Sequence, residues 1–320
     1  MISVRRIVLV VAVVALLFIA CFVYLSEGLD DVDAEMASVV VSELRMPRML
    51  CALGVGTLLS VAGALMQGVF RNPLVEPYTM GISGGAVVGV AVAFVSGAVA
   101  VLGGAGVTIG AALGGLLSLA LVLVMRRAAG YDTGAMLMCG IMVSFVSSAA
   151  TTVILSVASR EDLSQVVSWT VGSFEGVDKS MAWGVVCVAA LATLLSPLAG
   201  NVLNVLALGD DEARSLGVSP SNAALTFFVI ATLLAAVSVS ATGVVAFVGM
   251  AVPHFVRRLF GGDYRVVLPA CGLVGALALI VCDLVAKTVI YPRELPAGAV
   301  CAVLGGIMFT YLTVRWKRMS

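Results

Sequence analysis

The sequence predicts an all-α, polytopic membrane protein of ten transmembrane helices. Composition is the first reason: 61% of the 320 residues are hydrophobic and only 11% are charged, where a soluble domain carries about 25% charged residues. The second is a mean hydropathy of +1.15. The third is arrangement, because the apolar residues fall in runs near the roughly 20 that a helix needs to cross a bilayer. The 18 basic and 18 acidic residues cancel, so partners have to be sought in where the charges sit. One domain is expected over residues 1–320.

Arg5 and Arg6 precede the first apolar run, Ile7 to Leu25. It is longer than a signal-peptide core, so it reads as a retained span. An acidic segment follows from Glu27 to Glu43, with Asp30, Asp31, Asp33 and Glu35. Nine further spans are expected over 49–69, 78–98, 104–125, 134–158, 181–199, 221–239, 243–260, 266–291 and 297–314. The region 78–125 is too long for one span, and Gly103, Gly104 and Gly106 mark the turn that divides it. A second break is expected near Ala241, Thr242 and Gly243. Between Ser159 and Lys179 the amphipathic stretch Leu163 to Trp169 predicts a short surface helix.

Ten spans put both termini on one side. With the N-terminus inside, Arg45, Arg48, Arg160, Lys179, Lys287 and Arg293 face outward, and the other 12 of the 18 basic residues face the cytoplasm. That is the bias of the positive-inside rule. The same parity makes the polar island Ala207 to Asn222, between the sixth and seventh spans, cytoplasmic. Its local chemistry predicts a short helix capped by Asp210 and ended by Gly217, then a new helix with Ser219 at the N-cap and Pro220 at its first position.

Gly81, Gly85 and Gly89 are spaced by four, as are Gly106, Gly110 and Gly114. Each set lies on one helix face, where backbones can approach closely. Packing is the expected use; pore lining is the alternative.

Asp283 and Lys287, four apart in the ninth span, are placed to form an intramembrane ion pair on one helix face. A structural pair is the plainer reading and an ion relay the sharper one. Span interiors otherwise hold almost no charge, so coupling to an ion gradient is poorly supported. Gln67, Arg71 and Asn72 are placed to satisfy backbone at the helix break before Pro73, and His254 reads as a structural helix-end residue. The seven cysteines are scattered through apolar runs without a C-x-x-C. With one histidine in the chain, spacing builds no metal site. No phosphate-binding G-x-x-x-x-G-K-[ST] loop occurs, and no catalytic constellation stands out. The chain therefore lacks an energy source of its own.

Several strings, taken in order, resemble one known family. They include Arg45-Met-Pro-Arg48, Gly63 to Leu74 with Gln67, Arg71 and Asn72, Glu76 to Gly85, and Trp169 to Phe174. Leu206 to Val218, Phe247 to His254, Asp263 to Pro269, Asp283 to Lys287 and Glu294 to Gly298 complete the set. Together they resemble the FecCD family, the permease subunits of bacterial type II ABC importers for iron–siderophores, haem and cobalamin.

The resemblance implies ten spans with inverted-repeat halves and a dimeric permease, either a homodimer or a pair of paralogues. It implies two copies of a separate ATPase that carries ATP and Mg, so no cofactor in this chain, and an extracytoplasmic binding protein that delivers substrate. It places the chain in the bacterial inner membrane. Leu208, Gly209, Asp210, Asp211, Glu212, Ala213, Arg214, Ser215, Leu216 and Gly217 match the coupling helix that docks in the ATPase, within a coupling segment of about 204–219. Arg45 and Arg48 match arginines that pair with carboxylates on the binding protein, and Arg293 lies where another often stands. Asp132, Thr133 and Gly134 match the inner gate loop, although the family often has Ser or Thr where this chain has Gly134. The implied function is ATP-driven import of an iron–siderophore or related metal chelate, with haem or cobalamin as the alternative, and without catalysis by this subunit. An ion-coupled secondary carrier or a membrane enzyme would be the alternatives.

Overall fold

The computed structural model describes residues 4–28, 33–128, 133–290 and 293–316. Among them every regular element is helical. In order, the helices are α1 (Val4–Ser26), α2 (Ala34–Val39), α3 (Met46–Phe70), α4 (Ile82–Val95), α5 (Ala98–Leu102), α6 (Gly104–Ala128) and α7 (Thr133–Ser156). Then come α8 (Arg160–Thr170), α9 (Lys179–Leu206), α10 (Asp210–Ser215), α11 (Pro220–Thr242), α12 (Val248–Phe260), α13 (Tyr264–Thr288) and α14 (Ala297–Trp316).

Seven helices of the described residues are long and apolar enough to cross a membrane: α1, Ala34–Phe70, α6, α7, α9, α11 and α13. The other expected spans are shorter. Over 78–98 the chain first makes a 3₁₀ turn, Pro77–Met80, and α4 then has 14 residues. Gly81 separates the two with φ of 89°, a left-handed conformation glycine takes cheaply. Over 243–260 the chain leaves α11 at Gly243, and α12 begins only at Val248, for 13 residues. Phe247, a bulky residue at φ 72°, is the N-cap of α12.

Part of the acidic segment is helical. α2 runs through a π-helical turn, Val40–Arg45, into α3, so that Ala34–Phe70 is one helix of 37 residues. The amphipathic stretch forms α8, where the Ser159 hydroxyl accepts the Asp162 N–H at 3.1 Å, an N-cap.

The chain forms two compact units, and the boundary falls within α3 and within α9. One unit draws on Met1–Val61, Ser173–Gly200 and Val245–Ser320, the other on Ala62–Gly172 and Asn201–Val244.

In the first unit α13 is the spine. Val267, Leu268, Cys271, Leu279 and Ile280 are buried along it, and it packs on α1, α12 and α14. It meets α3 backbone to backbone at Gly275 and Gly56. Small residues permit this approach, and hydroxyls then bridge the helices. Ser60 Oγ donates to the Cys271 carbonyl at 2.6 Å and Thr57 Oγ1 to the Gly272 carbonyl at 3.1 Å. His254 of α12 and Phe309 of α14 make an edge-to-face pair with centroids 5.7 Å apart.

In the second unit α4 is the spine, packed on α6, α7 and α8. The two glycine sets meet each other here. Gly85 and Gly89 of α4 lie against the backbone of Gly110 and Gly114 of α6, with Ser118 alongside. Gly81 packs instead on Val143 of α7, and Gly106 on Ala98 and Val99. At the far end of α6, Arg126 Nη2 donates to the Ser221 carbonyl at 2.9 Å and to its hydroxyl at 2.8 Å, which ties α6 to the first turn of α11.

Candidate functional site: a buried charge cluster and an exposed short helix

The end of α1, the start of α3 and the end of α13 converge in the first unit. Asp283 lies there with no exposed surface. A carboxylate in that position needs its charge and lone pairs satisfied. Arg48 supplies both requirements. Its Nε donates to Oδ2 at 2.9 Å and its Nη2 to Oδ1 at 2.7 Å, the two-pronged match of guanidinium to carboxylate. Tyr24 Oη adds a third bond to Oδ2 at 2.5 Å.

Lys287 makes the ion pair its spacing suggests, but only at long range. Its Nζ is 4.0 Å from Asp283 Oδ2, at the outer limit of an ion pair, and sits over the Tyr24 ring at 3.7 Å from the centroid. Arg48 wins the carboxylate because a planar fork can satisfy both oxygens at once, whereas an ammonium is a point charge. Lys287 retains a cation–π seat beside it.

The expected docking arginines occupy three distinct settings. Arg48 is only 11% exposed, and its third donor, Nη1, reaches Glu294 Oε2 at 2.5 Å. Arg45 donates to the Leu25 carbonyl at 3.0 Å and to the Glu27 carbonyl. It thereby caps the last turn of α1, where a cation is favoured by the helix dipole. Arg293 is exposed on the connection after α13, with its backbone N–H bonded to the Ile290 carbonyl at 2.8 Å. Arg45 and Arg48, but not Arg293, border a cavity of about 660 Å³, whose lining also includes Tyr24, Glu43, Lys287 and Glu294.

The second candidate site is α10, in the other unit. Its N-cap is Gly209, at φ 134°, rather than Asp210. That backbone angle is one residues with a β-carbon rarely adopt, so glycine is favoured there. Asp210 is instead the first helical residue and pairs with Arg71, an acid in the first turn as the dipole prefers. Gly217, at φ 81°, ends the helix, and the Val218 N–H returns to the Ala213 carbonyl at 2.9 Å. Ser219 and Pro220 take the expected N-cap and first positions of α11, although the serine hydroxyl makes no capping bond.

Within this segment Leu208, Asp210, Asp211, Glu212, Arg214, Ser215, Leu216 and Gly217 are exposed and Gly209 is half-buried. Ala213 is the exception: it is fully buried against its own chain and so cannot lie on a face offered to a partner. A six-residue helix must bury something to be held, and its one small apolar residue does that.

Of the inner-gate residues, Asp132 lies outside the described residues. Thr133 begins α7, and Gly134 is exposed. Tyr24 and Glu294 were not distinguishable by sequence pattern, since their roles depend on partners in other helices. Among the described residues no group of His, Cys, Asp and Glu is placed to hold a metal ion.

Comparison with known proteins gives this geometry a context. The FecCD transport family matches residues 4–315. The vitamin B12 import system permease protein BtuC of Photorhabdus laumondii subsp. laumondii is 36% identical over 291 residues, which cover 90% of this chain and 85% of that protein. The hemin transport system permease protein HmuU of Yersinia pestis is 34% identical over 280 residues, 86% of this chain and 83% of that one. A solved structure described as an inward-facing conformation of a metal-chelate type ABC transporter superposes with a TM-score of 0.87 at 27% identity, covering 96% of this chain and 99% of its own. With the family pattern running through nearly the whole sequence, and with relatives of this identity covering most of it, the chain belongs to the FecCD transport family of type II ABC importer permeases.

Proposed function

We propose that this chain lines the passage through which a bulky metal chelate crosses the bacterial inner membrane, driven by a separate ATPase. One observation carries the reading. A chain without a phosphate-binding loop offers an exposed short helix, α10, edged by Leu208 and Leu216 at 63% and 60% exposure. A docked ATPase would bury those leucines and supply the missing energy source. In this reading α4, α12 and α14 join the seven long helices to bring the crossings to ten, in inverted-repeat halves, with both termini cytoplasmic.

The working assembly has two copies of the permease, two of the ATPase and one extracytoplasmic binding protein. The binding protein docks on Arg45, Arg48 and Arg293. ATP closes the ATPase dimer and moves α10, and the passage alternates between outward and inward openings as ligands at both ends bias a two-state element. Residues 132–134 form the inner gate. This subunit catalyses no reaction and holds no cofactor; ATP and Mg reside on the ATPase. The cargo is an iron–siderophore, haem or cobalamin, and the relatives named for vitamin B12 and hemin make the last two the first to test.

The test is uptake of cyanocobalamin, haemin and a ferric siderophore into proteoliposomes holding the permease and binding protein, with and without the ATPase. ATP-dependent uptake of one cargo is expected only with the ATPase present. Uptake that persists without it would sink the reading in favour of an ion-coupled carrier.

A further inference from the structure

Arg48 has no free edge. Two of its nitrogens hold Asp283, and the third holds Glu294. The two acids are not equivalent. Asp283 is fully buried and is also held by Tyr24, so its departure would strand a charge in an apolar setting. Glu294 is 44% exposed and can turn into water at little cost. It sits on the connection after α13, which is pinned one residue later by the Leu295 N–H to the Ala286 carbonyl at 2.9 Å.

Arg48 and Lys287 face Asp283 and Glu294, while Arg45 beside them is met by the Leu25 and Glu27 carbonyls. A carboxylate brought to Arg48 would meet a guanidinium whose three nitrogens already hold acids. A carboxylate that replaced Glu294 would leave the charge there unchanged. The cavity of about 660 Å³ bordered by Arg48, Arg45 and Glu294 gives an incoming side chain the room to do so.

We propose that Glu294 is a resident stand-in on Arg48, and that a docking protein engages this surface by exchanging one of its own carboxylates for Glu294 while Asp283 keeps its hold. The inference rests on the docking reading of Arg45, Arg48 and Arg293 given above. Asp283 is then a positioning residue: it fixes the guanidinium so that only Nη1 is presented. Glu294 lowers affinity for any partner that does not reach into the cavity, and its release leaves the backbone beside it held by the Leu295 N–H.

The experiment measures binding of the importer's purified binding protein to the intact permease–ATPase complex in lipid nanodiscs. Glu294→Ala is expected to tighten binding about tenfold at low salt, because the competitor is gone. The double variant Arg45→Gln with Arg293→Gln is expected to weaken it about tenfold or more. Both leave the buried Arg48–Asp283 pair intact, so the fold should survive, which thermal unfolding checks. If the arginine variant weakens docking while Glu294→Ala leaves it unchanged or weaker, the exchange is wrong and the docking reading stands. If the arginine variant has no effect, the docking reading falls and the exchange falls with it.

Discussion

Gly89 of α4 and Gly110 of α6 face each other backbone to backbone: a β-carbon on Gly110 would lie 2.7 Å from the Gly89 carbonyl oxygen. A contact this close leaves no room for a methyl group. Gly89→Ala should therefore force α4 and α6 apart and destabilise the fold by about 1–3 kcal/mol, the usual cost of overpacking. Gly184→Ala on α9 is the control, because nothing lies within 4 Å of its added β-carbon. It should be neutral or stabilising by up to about 1 kcal/mol through helix propensity. Opposite signs in thermal unfolding of the two variants are the expected result; equal effects would remove the glycine contact as their cause.

The buried cluster predicts a graded series. Tyr24→Phe removes the bond to Asp283 Oδ2 but keeps an aromatic ring under Lys287. It should cost about 2 kcal/mol, typical of a hydrogen bond to a charged group. Asp283→Asn removes the buried half of Arg48's ion pairing, leaving only the exposed Glu294, and should cost about 3–5 kcal/mol. The amount of folded protein falls, while ATP-driven uptake per folded molecule stays measurable. Complete loss of uptake with both folding and binding-protein docking intact would favour an ion relay at Asp283.

For α10 the prediction turns on which residues are exposed. Leu208→Asp and Leu216→Asp should abolish most stimulation of the ATPase by the permease while leaving thermal unfolding unchanged. Ala213→Asp should instead lower stability, because it places a charge where the alanine is fully buried. Full stimulation by both leucine variants would remove α10 from the ATPase interface.

Asp178 gives a pH-dependent test. It precedes α9, and its Oδ1 accepts the Met181 N–H at 2.8 Å and the Ser180 hydroxyl at 2.7 Å. These bonds, the Met181 N–H first, hold its carboxyl below the usual carboxylate range. A lowered folded pKa means a contribution fully present above the unfolded value, about 3.9, and lost as pH falls through the lower folded value. Asp178→Ala should cost about 1 kcal/mol near neutrality, as for other helix caps. The difference from the parent protein should shrink once the medium is acid enough to protonate the parent. A difference that stays constant from neutral to strongly acid pH would exclude the cap.

The helices were legible because their signal is local. An apolar run of sufficient length, a glycine stop and a serine or proline start can each be read from neighbouring residues, and the two glycine sets were visible as four-residue repeats. What could not be read is what the chain settles across distance. Arg48 and Asp283 are 235 positions apart and Tyr24 and Asp283 are 259 apart. Local spacing therefore favoured Lys287 as the partner, and a better-shaped one arrived from α3. The burial of Ala213 was likewise invisible, because in a polar segment an alanine carries no mark of which way it faces. The shortness of α4 and α12 depends on backbone turns at Gly81 and Phe247, the second at a residue type that gives no warning of a positive φ.

The π-helical turn at Val40–Arg45 sets a phase. A wider turn absorbs a residue that an α-helix could not, so α2 and α3 share an axis without sharing an angular register. Removing one residue between Val40 and Glu43 would restore ordinary winding and leave α2 facing as it does, whereas winding the same chain as a plain α-helix would turn α2 by about 100° relative to α3, the angle one residue subtends. Arg45 closes that turn and Arg48 lies beyond it, so both would keep their aim. The helix thus contains a joint at which chain length can change by a residue while the acidic Glu35 face keeps its direction and the arginines stay fixed to α1 and α13.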